Sequence, residues 1–340
     1  MQTSRECVIR AIEGRGPDRV PLWLSFDTSP INRAVTDHLS VECRSDIQQV
    51  GYGVVNFRPI GPGYTLLGYR METFGETMGE SKDPPLADFD HFESWKNSLP
   101  DFGNPRCYEH LKKHRENHPD IFLVGKLNQM MEELINLMGY ENYMISLYEE
   151  EEHVSAVIDV LYDMAHKMVD GYADAGIDAV IAWEDWGLQN APLMSHEMWE
   201  KFFKAKMRAF VDHIHARGMK YILHSCGHIV YLLDDFAEMG IDVLQLDQQM
   251  NMGLDELAKW RETFCFCCPT DIQHCMRMTD EEMTAYLREM NDKFGSGNGG
   301  FIFKPYSSPA AIHMTSEKLS HEIRSAQNLH ISQKTADGAL

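Results

Sequence analysis

The sequence predicts an α/β fold, a (β/α)8 TIM barrel with an N-terminal extension and a long inserted loop region. Three observations carry this expectation. Eight short β-rich runs alternate with helical stretches, which is the pattern of parallel strands joined by crossover helices. No short-period repeat or low-complexity linker interrupts the 340 residues, so 1–340 is taken as a single domain. The GxGxxG fingerprint that would favour a doubly wound open sheet is missing.

The eight runs are 20–26, 52–57, 121–127, 178–184, 220–226, 242–247, 264–268 and 301–306. Between the fourth and fifth, Trp199, Phe202, Phe203, Phe210, Val211 and Ile214 follow Pro192 at helical spacing, and Gly218 ends the stripe. Thr279 and Glu282 form a capping box, after which Met283, Tyr286, Leu287 and Met290 share one apolar face. The stretch 61–120 is rich in Gly, Pro and acidic residues and reads as an insertion, either a lid or surface decoration. Residues 328–340 read as a flexible tail.

Composition narrows the function classes. A formal net charge of −21 opposes nucleic-acid binding, which depends on Lys and Arg neutralising phosphates. No apolar run approaches the roughly 18 residues of a membrane helix. The first residues lack a signal-peptide pattern, so a cytoplasmic protein is expected. In that compartment eight cysteines point to metal or catalysis rather than disulfides. Twenty-one methionines suggest an adaptable interior.

Barrels place their chemistry at the C-terminal ends of the strands, and here those ends are polar. The fourth run ends in Trp183-Glu184-Asp185-Trp186, the fifth in His224-Ser225-Cys226 and the sixth in Asp247. The seventh ends in Cys267-Cys268-Pro269-Thr270-Asp271 and the eighth in Lys304-Pro305-Tyr306-Ser307. Residues i and i+2 of a strand face one side, so His224 and Cys226 aim an imidazole and a thiolate at one point. Both are good zinc ligands. Cys268 is the first choice for a third, followed by Glu184 and Cys267. Cys265 is expected to point away from the rim.

The stretches Ile181-Ala182-Trp183-Glu184-Asp185-Trp186-Gly187 and His224-Ser225-Cys226-Gly227-His228-Ile229, with Ser195 before a long helix, resemble the uroporphyrinogen decarboxylase superfamily. The similarity runs over roughly residues 120–325, and the segment 240–244 and Asp271 fit it too. The resemblance implies a (β/α)8 barrel. The porphyrinogen decarboxylases of that superfamily carry an Arg-rich motif near the first strand, whereas 20–28 contains no Arg after Val20. The branch of cobalamin (corrinoid)-dependent methyltransferases is the better match. In that branch His-x-Cys binds zinc together with a Cys after the eighth strand, and Ser307 stands about where that Cys would be.

The resemblance implies a zinc methyltransferase that moves a methyl group from a small methylated substrate, such as a methyl ether, to the Co(I) corrinoid of a separate protein. The chain itself has no recognisable corrinoid-binding domain, and its acidic surface would help orient the partner. Glu184 or Asp185 would act as a second ligand, a proton donor or a partner orienting the ligand His, with Tyr306 beside the reaction. Asn128, Trp183 and Trp186 would contact substrate, and Asp247 and Asp271 would serve on the cofactor side. The alternatives are transfer from a methylcobamide to a thiol, a uroporphyrinogen-type decarboxylase, and a non-catalytic barrel with an incomplete metal site. A homo-oligomer is left open.

Overall fold

The computed structural model describes residues 1–57, 59–72, 79–128, 130–295 and 298–330. Its centre is a curled parallel sheet of seven strands: β1 (Ile47–Val50), β4 (Phe122–Lys126), β5 (Ala179–Trp183), β6 (Lys220–Ser225), β7 (Val243–Leu246), β8 (Cys265–Cys268) and β9 (Phe301–Phe303), adjacent in that order. Helices connect them, the α/β layout that the alternating runs predict. β2 (Arg70–Glu72) and β3 (Glu80–Lys82) form a separate antiparallel ribbon. Among the described residues no helix is long and apolar enough to cross a membrane.

The strands are apolar on both faces because helices cover the outside and other strands the inside. Two cores result. Trp23, Ile47, Phe122, Val124, Ala179, Ile181, Ile222, Val243, Cys265, Cys267 and Ile302 pack together within the curl, and Val8 of the helix Ser4–Ile12 joins them. Alternate residues such as Leu123, Val180, Leu223, Leu244, Phe266, Cys268 and Phe303 face the helices. The helix Ser4–Ile12 contacts β1, β4 and β9, and the carbonyl of its Ala11 accepts a hydrogen bond from Gly300 N.

The first and second expected strands differ from what is observed. Within 20–26 the pairing is a single parallel bridge between Leu22 and Phe303. The segment is nonetheless held on both sides: Trp23 N donates to Phe303 O (2.8 Å), and Asp46 N donates to Leu22 O (2.8 Å). The second strand lies at Ile47–Val50 and not at 52–57. Asp46 fixes it there, its carboxylate accepting from Leu22 N and Ser4 Oγ. The aromatic and β-branched residues that suggested 52–57 follow Gly51, where the chain has left the sheet.

Both helical expectations match the structure, with one refinement. The capping box at Thr279 and Glu282 opens the helix Asp280–Phe294. The Trp199–Ile214 stripe is buried, but it runs through His196–Trp199, a π-turn at Glu200–Lys204 and Ala205–Ala216. The stretch 61–120 is less loop-like than expected. It carries the helices Phe92–Ser98 and Glu109–Asn117, and it buries Leu67, Tyr69, Trp95, Phe102 and Tyr108. Leu329 is buried and His330 O accepts from Asn291, while 331–340 lie outside the described residues.

One backbone contact fixes the loops after β5 and β6 against each other. Gly227 has φ +77°, and a Cβ there would stand 2.2 Å from Gly187 O. A Cβ on Gly187 would in turn stand 2.4 Å from His228 N. Only glycine fits both the positive φ and the approach. Gly227→Ala should therefore destabilise the fold by about 2 kcal/mol or more in chemical denaturation. Wild-type stability in that variant would remove this contact as a determinant of the loop positions.

Candidate metal centre

At the C-terminal ends of β5 and β6, three side chains of different chemistry converge. His224 Nε2 lies 3.6 Å from Cys226 Sγ and 3.5 Å from Asp185 Oδ1. All three ligand atoms fall within 4.8 Å of one another. The register Trp183↔His224 between β5 and β6 puts Asp185 two residues beyond Trp183 and Cys226 two beyond His224, all on the inner face. Cys226 N donates to Asp185 Oδ1 (2.9 Å), so the backbone also holds the carboxylate in place.

The imidazole orientation is set from behind. His224 Nδ1 meets Gln245 Oε1 at 2.5 Å, and Gln245 Nε2 donates to Asp247 Oδ1 at 2.7 Å. Because the amide nitrogen is committed to a carboxylate, Gln245 presents its oxygen to His224 and accepts a hydrogen bond from Nδ1–H. Nε2 is left to face Cys226 and Asp185. This carboxylate–amide–imidazole relay is the kind of support that orients metal-bound histidines.

The donor set fits a tetrahedral metal. Zinc bonds of roughly 2.0–2.1 Å to N or O and roughly 2.3 Å to S, at tetrahedral angles, place ligand atoms roughly 3.3–3.6 Å apart, close to the observed spacings. The protonation tendencies follow from burial and from the mutual charges of the three groups. Burial alone would lower the His224 pKa, but Asp185, Cys226 and Asp247 together hold it well above its ordinary value. Burial raises the Cys226 thiol, partly offset by His224. Burial also acts to raise Asp185, yet its bonds to His224 and Cys226 N keep it below the usual carboxylate range.

The other predicted residues divide into two groups. Tyr306 faces the centre: burial, followed by the charges of Asp247, Cys226 and Asp185, pushes its phenol up to about 12. Trp183 stacks at a tilt on His224, with ring centres 4.6 Å apart. Asp247 stands behind His224 through Gln245. Asn128 accepts a hydrogen bond from Tyr52 Oη at 3.2 Å, at the end of β4.

Cys268, Glu184, Trp186 and Asp271 are placed elsewhere. Cys268 faces outward into the helix-covered core, because the inward positions of β8 are Cys265 and Cys267. The structure therefore does not bring Cys268 to His224 and Cys226, and Cys265, although on the inner face, lies at the start of β8 and away from the rim group. Cys267 is buried among the inner core residues, outside the three-residue group. Glu184 caps a helix 54 residues earlier in the chain, accepting from Met130 N (2.7 Å) and Met131 N (2.9 Å); burial raises it to about 8 against the pull of those two N–H groups. Trp186 packs on Trp199 and Phe203 in the outer core. Asp271 is occupied by Met250 N, Gln273 N and His274.

Two residues escaped the sequence reading. Gln245 lay unmarked inside an apolar run, although a glutamine within a buried strand, one turn of the pleat before Asp247, is itself a signal of a polar network. Glu132, on the helix Met130–Met138, lies against Asp185; burial, then the charge of Asp185, raises it to about 7. Beside the centre opens a cavity of about 570 Å³ lined in part by Lys126, Trp183, Lys304 and Ser307.

Comparison with known proteins supports one assignment. Two curated relatives from Methanosarcina barkeri, each named methylcobamide:CoM methyltransferase MtaA, are 20% identical to the chain. One match covers 74% of this chain and 78% of the relative, the other 73% and 76%. A solved methyltransferase structure from Methanosarcina mazei superimposes with a TM-score of 0.69 at 13% identity, over 96% of this chain and 98% of that one, and so shares the fold. The family model of uroporphyrinogen decarboxylase (URO-D) matches residues 70–306, which include six of the seven strands of the curled sheet. The chain belongs to the uroporphyrinogen decarboxylase family.

Proposed function

We propose that this chain is a zinc-dependent methyltransferase that moves a methyl group from a small methylated substrate to the Co(I) corrinoid of a partner protein. The observation that carries the proposal is the Asp185–His224–Cys226 group, spaced for a metal at the rim where barrels do chemistry. The methyltransferase names of the Methanosarcina relatives support the reaction class. The segment around Leu22 supplies the eighth position of the barrel in this reading, between β9 and β1.

Asp185, His224 and Cys226 would hold the zinc, with Gln245 and Asp247 fixing the imidazole. Bound there, zinc supplies Lewis acidity toward a heteroatom of the substrate. One thiolate with a carboxylate and an imidazole leaves more positive charge on the metal than two thiolates would, which favours activation of a leaving group. Tyr306, its phenol held protonated at neutral pH, would donate a proton to the departing oxygen or nitrogen. Glu132 is a proton reserve for the Asp185 side. Trp183 forms a wall along which the substrate lies. The corrinoid protein would dock at the barrel mouth and the acidic surface would favour a basic partner face.

A second reading, transfer from a methylcobamide to a thiol, draws support from the names of the relatives. Ser307 in place of a second rim thiol argues against it. The decarboxylase reading lacks arginines at the first-strand end, where 20–28 provides none after Val20.

Purified, metal-replete protein should contain about one zinc per chain by mass spectrometry. His224→Ala, Cys226→Ser and Asp185→Asn should each weaken retention at least tenfold, while Cys268→Ser should retain it. A Cys268→Ser variant that loses zinc as Cys226→Ser does would overturn the ligand set. Gln245→Leu should weaken zinc affinity about 10–100-fold in a chelator competition, with the fold intact by circular dichroism. Because His224 and Cys226 must shed protons that the site holds strongly, affinity should rise with pH through the neutral range. For the reaction, a Co(I) corrinoid protein and a panel of methyl ethers and methylamines should yield methyl-Co(III) absorbance. Turnover only with methylcobalamin and a thiol would select the second reading.

A further inference from the structure

Lys304 follows β9 on the inner face and is 1% exposed, yet its ammonium has no hydrogen-bond partner among the described residues. Its Nζ sits 5.8 Å from the ring centre of Trp23 and 5.5 Å from that of Trp183. The indole N–H groups of both tryptophans are likewise buried without an acceptor. Three buried donors on neighbouring side chains, one of them a full positive charge, are therefore unanswered. Aromatic faces offset part of the cost of a buried cation, but a buried charge with no counter-ion remains strongly disfavoured. Lys304 lines the cavity of about 570 Å³, a volume suited to a small substrate, and Lys126 lines it as well. The one carboxylate among the lining residues, Asp27, is engaged by Ser29 N and the Asn32 amide.

We propose that Lys304, Lys126 and the indole N–H group of Trp183 form an anion subsite that takes a carboxylate or sulfonate group of the substrate, with the ring of Trp23 backing the Lys304 ammonium from the inner core. The ring of Trp183 lies 4.6 Å from the ring of His224 and 5.5 Å from the Lys304 ammonium, so it joins the subsite to the metal centre. A substrate anchored by its anionic end at Lys304 would run along Trp183 and present its other end to Asp185, His224 and Cys226. The subsite rests on the cavity itself; only its assignment to a methyl donor or acceptor rests on the methyltransferase reading.

Acetate, benzoate and methanesulfonate, with acetamide and benzamide as uncharged controls, test the subsite at constant ionic strength by tryptophan emission and thermal unfolding of the purified protein. The anions should change the emission saturably and raise Tm, and the amides should not. Lys304→Met should weaken anion binding at least tenfold, and without ligand it should unfold at a higher temperature than wild type because an unpaired buried charge is gone. Lys304→Arg should retain binding. Anions no better than amides, unchanged binding in Lys304→Met, or a lower Tm in that variant would overturn the proposal, the last by making Lys304 a structural clamp between two rings. Preference for the carboxylates would identify the group as a carboxylate, and preference for methanesulfonate as a sulfonate. Anion binding without methyl transfer to Co(I) would leave the subsite standing and remove the methyltransferase reading; transfer without anion binding would do the reverse.

Discussion

The alternation of side chains along strands buried on both faces governs which groups meet at the C-terminal rim of this curled sheet. Each strand of the sheet sends every second residue into the inner core and the others toward the helices. At the strand ends the same alternation decides which polar groups meet. Asp185, His224 and Cys226 converge because they continue the inner rows of β5 and β6. Glu184 lies one residue out of step and becomes the cap of a distant helix. Lys304 continues the inner row of β9 behind Ile302 and is thereby driven into the space between two tryptophans.

The same constraint explains what the sequence could and could not show. Strand positions were legible because short β-branched and aromatic runs end at glycines and polar clusters, and six of the eight runs overlap observed strands. The convergence of His224 and Cys226 is legible because residues at i and i+2 share a face whichever face is inner. Cys268 was misassigned because β8 reads Cys-Phe-Cys-Cys, apolar at every position, so composition carries no trace of its facing. Asp185 and Glu184 are adjacent acids, and only pairing with β6 separates the candidate ligand from the cap. The strand at Ile47–Val50 is hidden in the sequence by Gln48 and Gln49, and Gln49 borders the cavity.

The centre combines rigidity from three sources. The contact between Gly187 and Gly227 sets the separation of the two loops, Cys226 N fixes the carboxylate of Asp185, and Gln245 with Asp247 fixes the imidazole. Each support comes from the backbone or from a buried side chain, so the ligand atoms need little reorganisation to receive a metal. In the proposed reading, a carboxylate in place of a second rim thiolate, with Ser307 at the last strand end, would favour leaving-group activation over nucleophile activation. The neighbouring cavity supplies positive charge from Lys126 and Lys304 in a protein of net charge −21, a local inversion that packing alone does not require.

Zinc K-edge X-ray absorption of the metal-loaded protein tests the central claim most directly, because it counts sulfur ligands. The account predicts one sulfur at roughly 2.3 Å with the remaining ligands nitrogen or oxygen at roughly 2.0–2.2 Å. Two sulfurs would contradict it by returning a second cysteine to the metal, and a shell without sulfur would remove Cys226 from the centre.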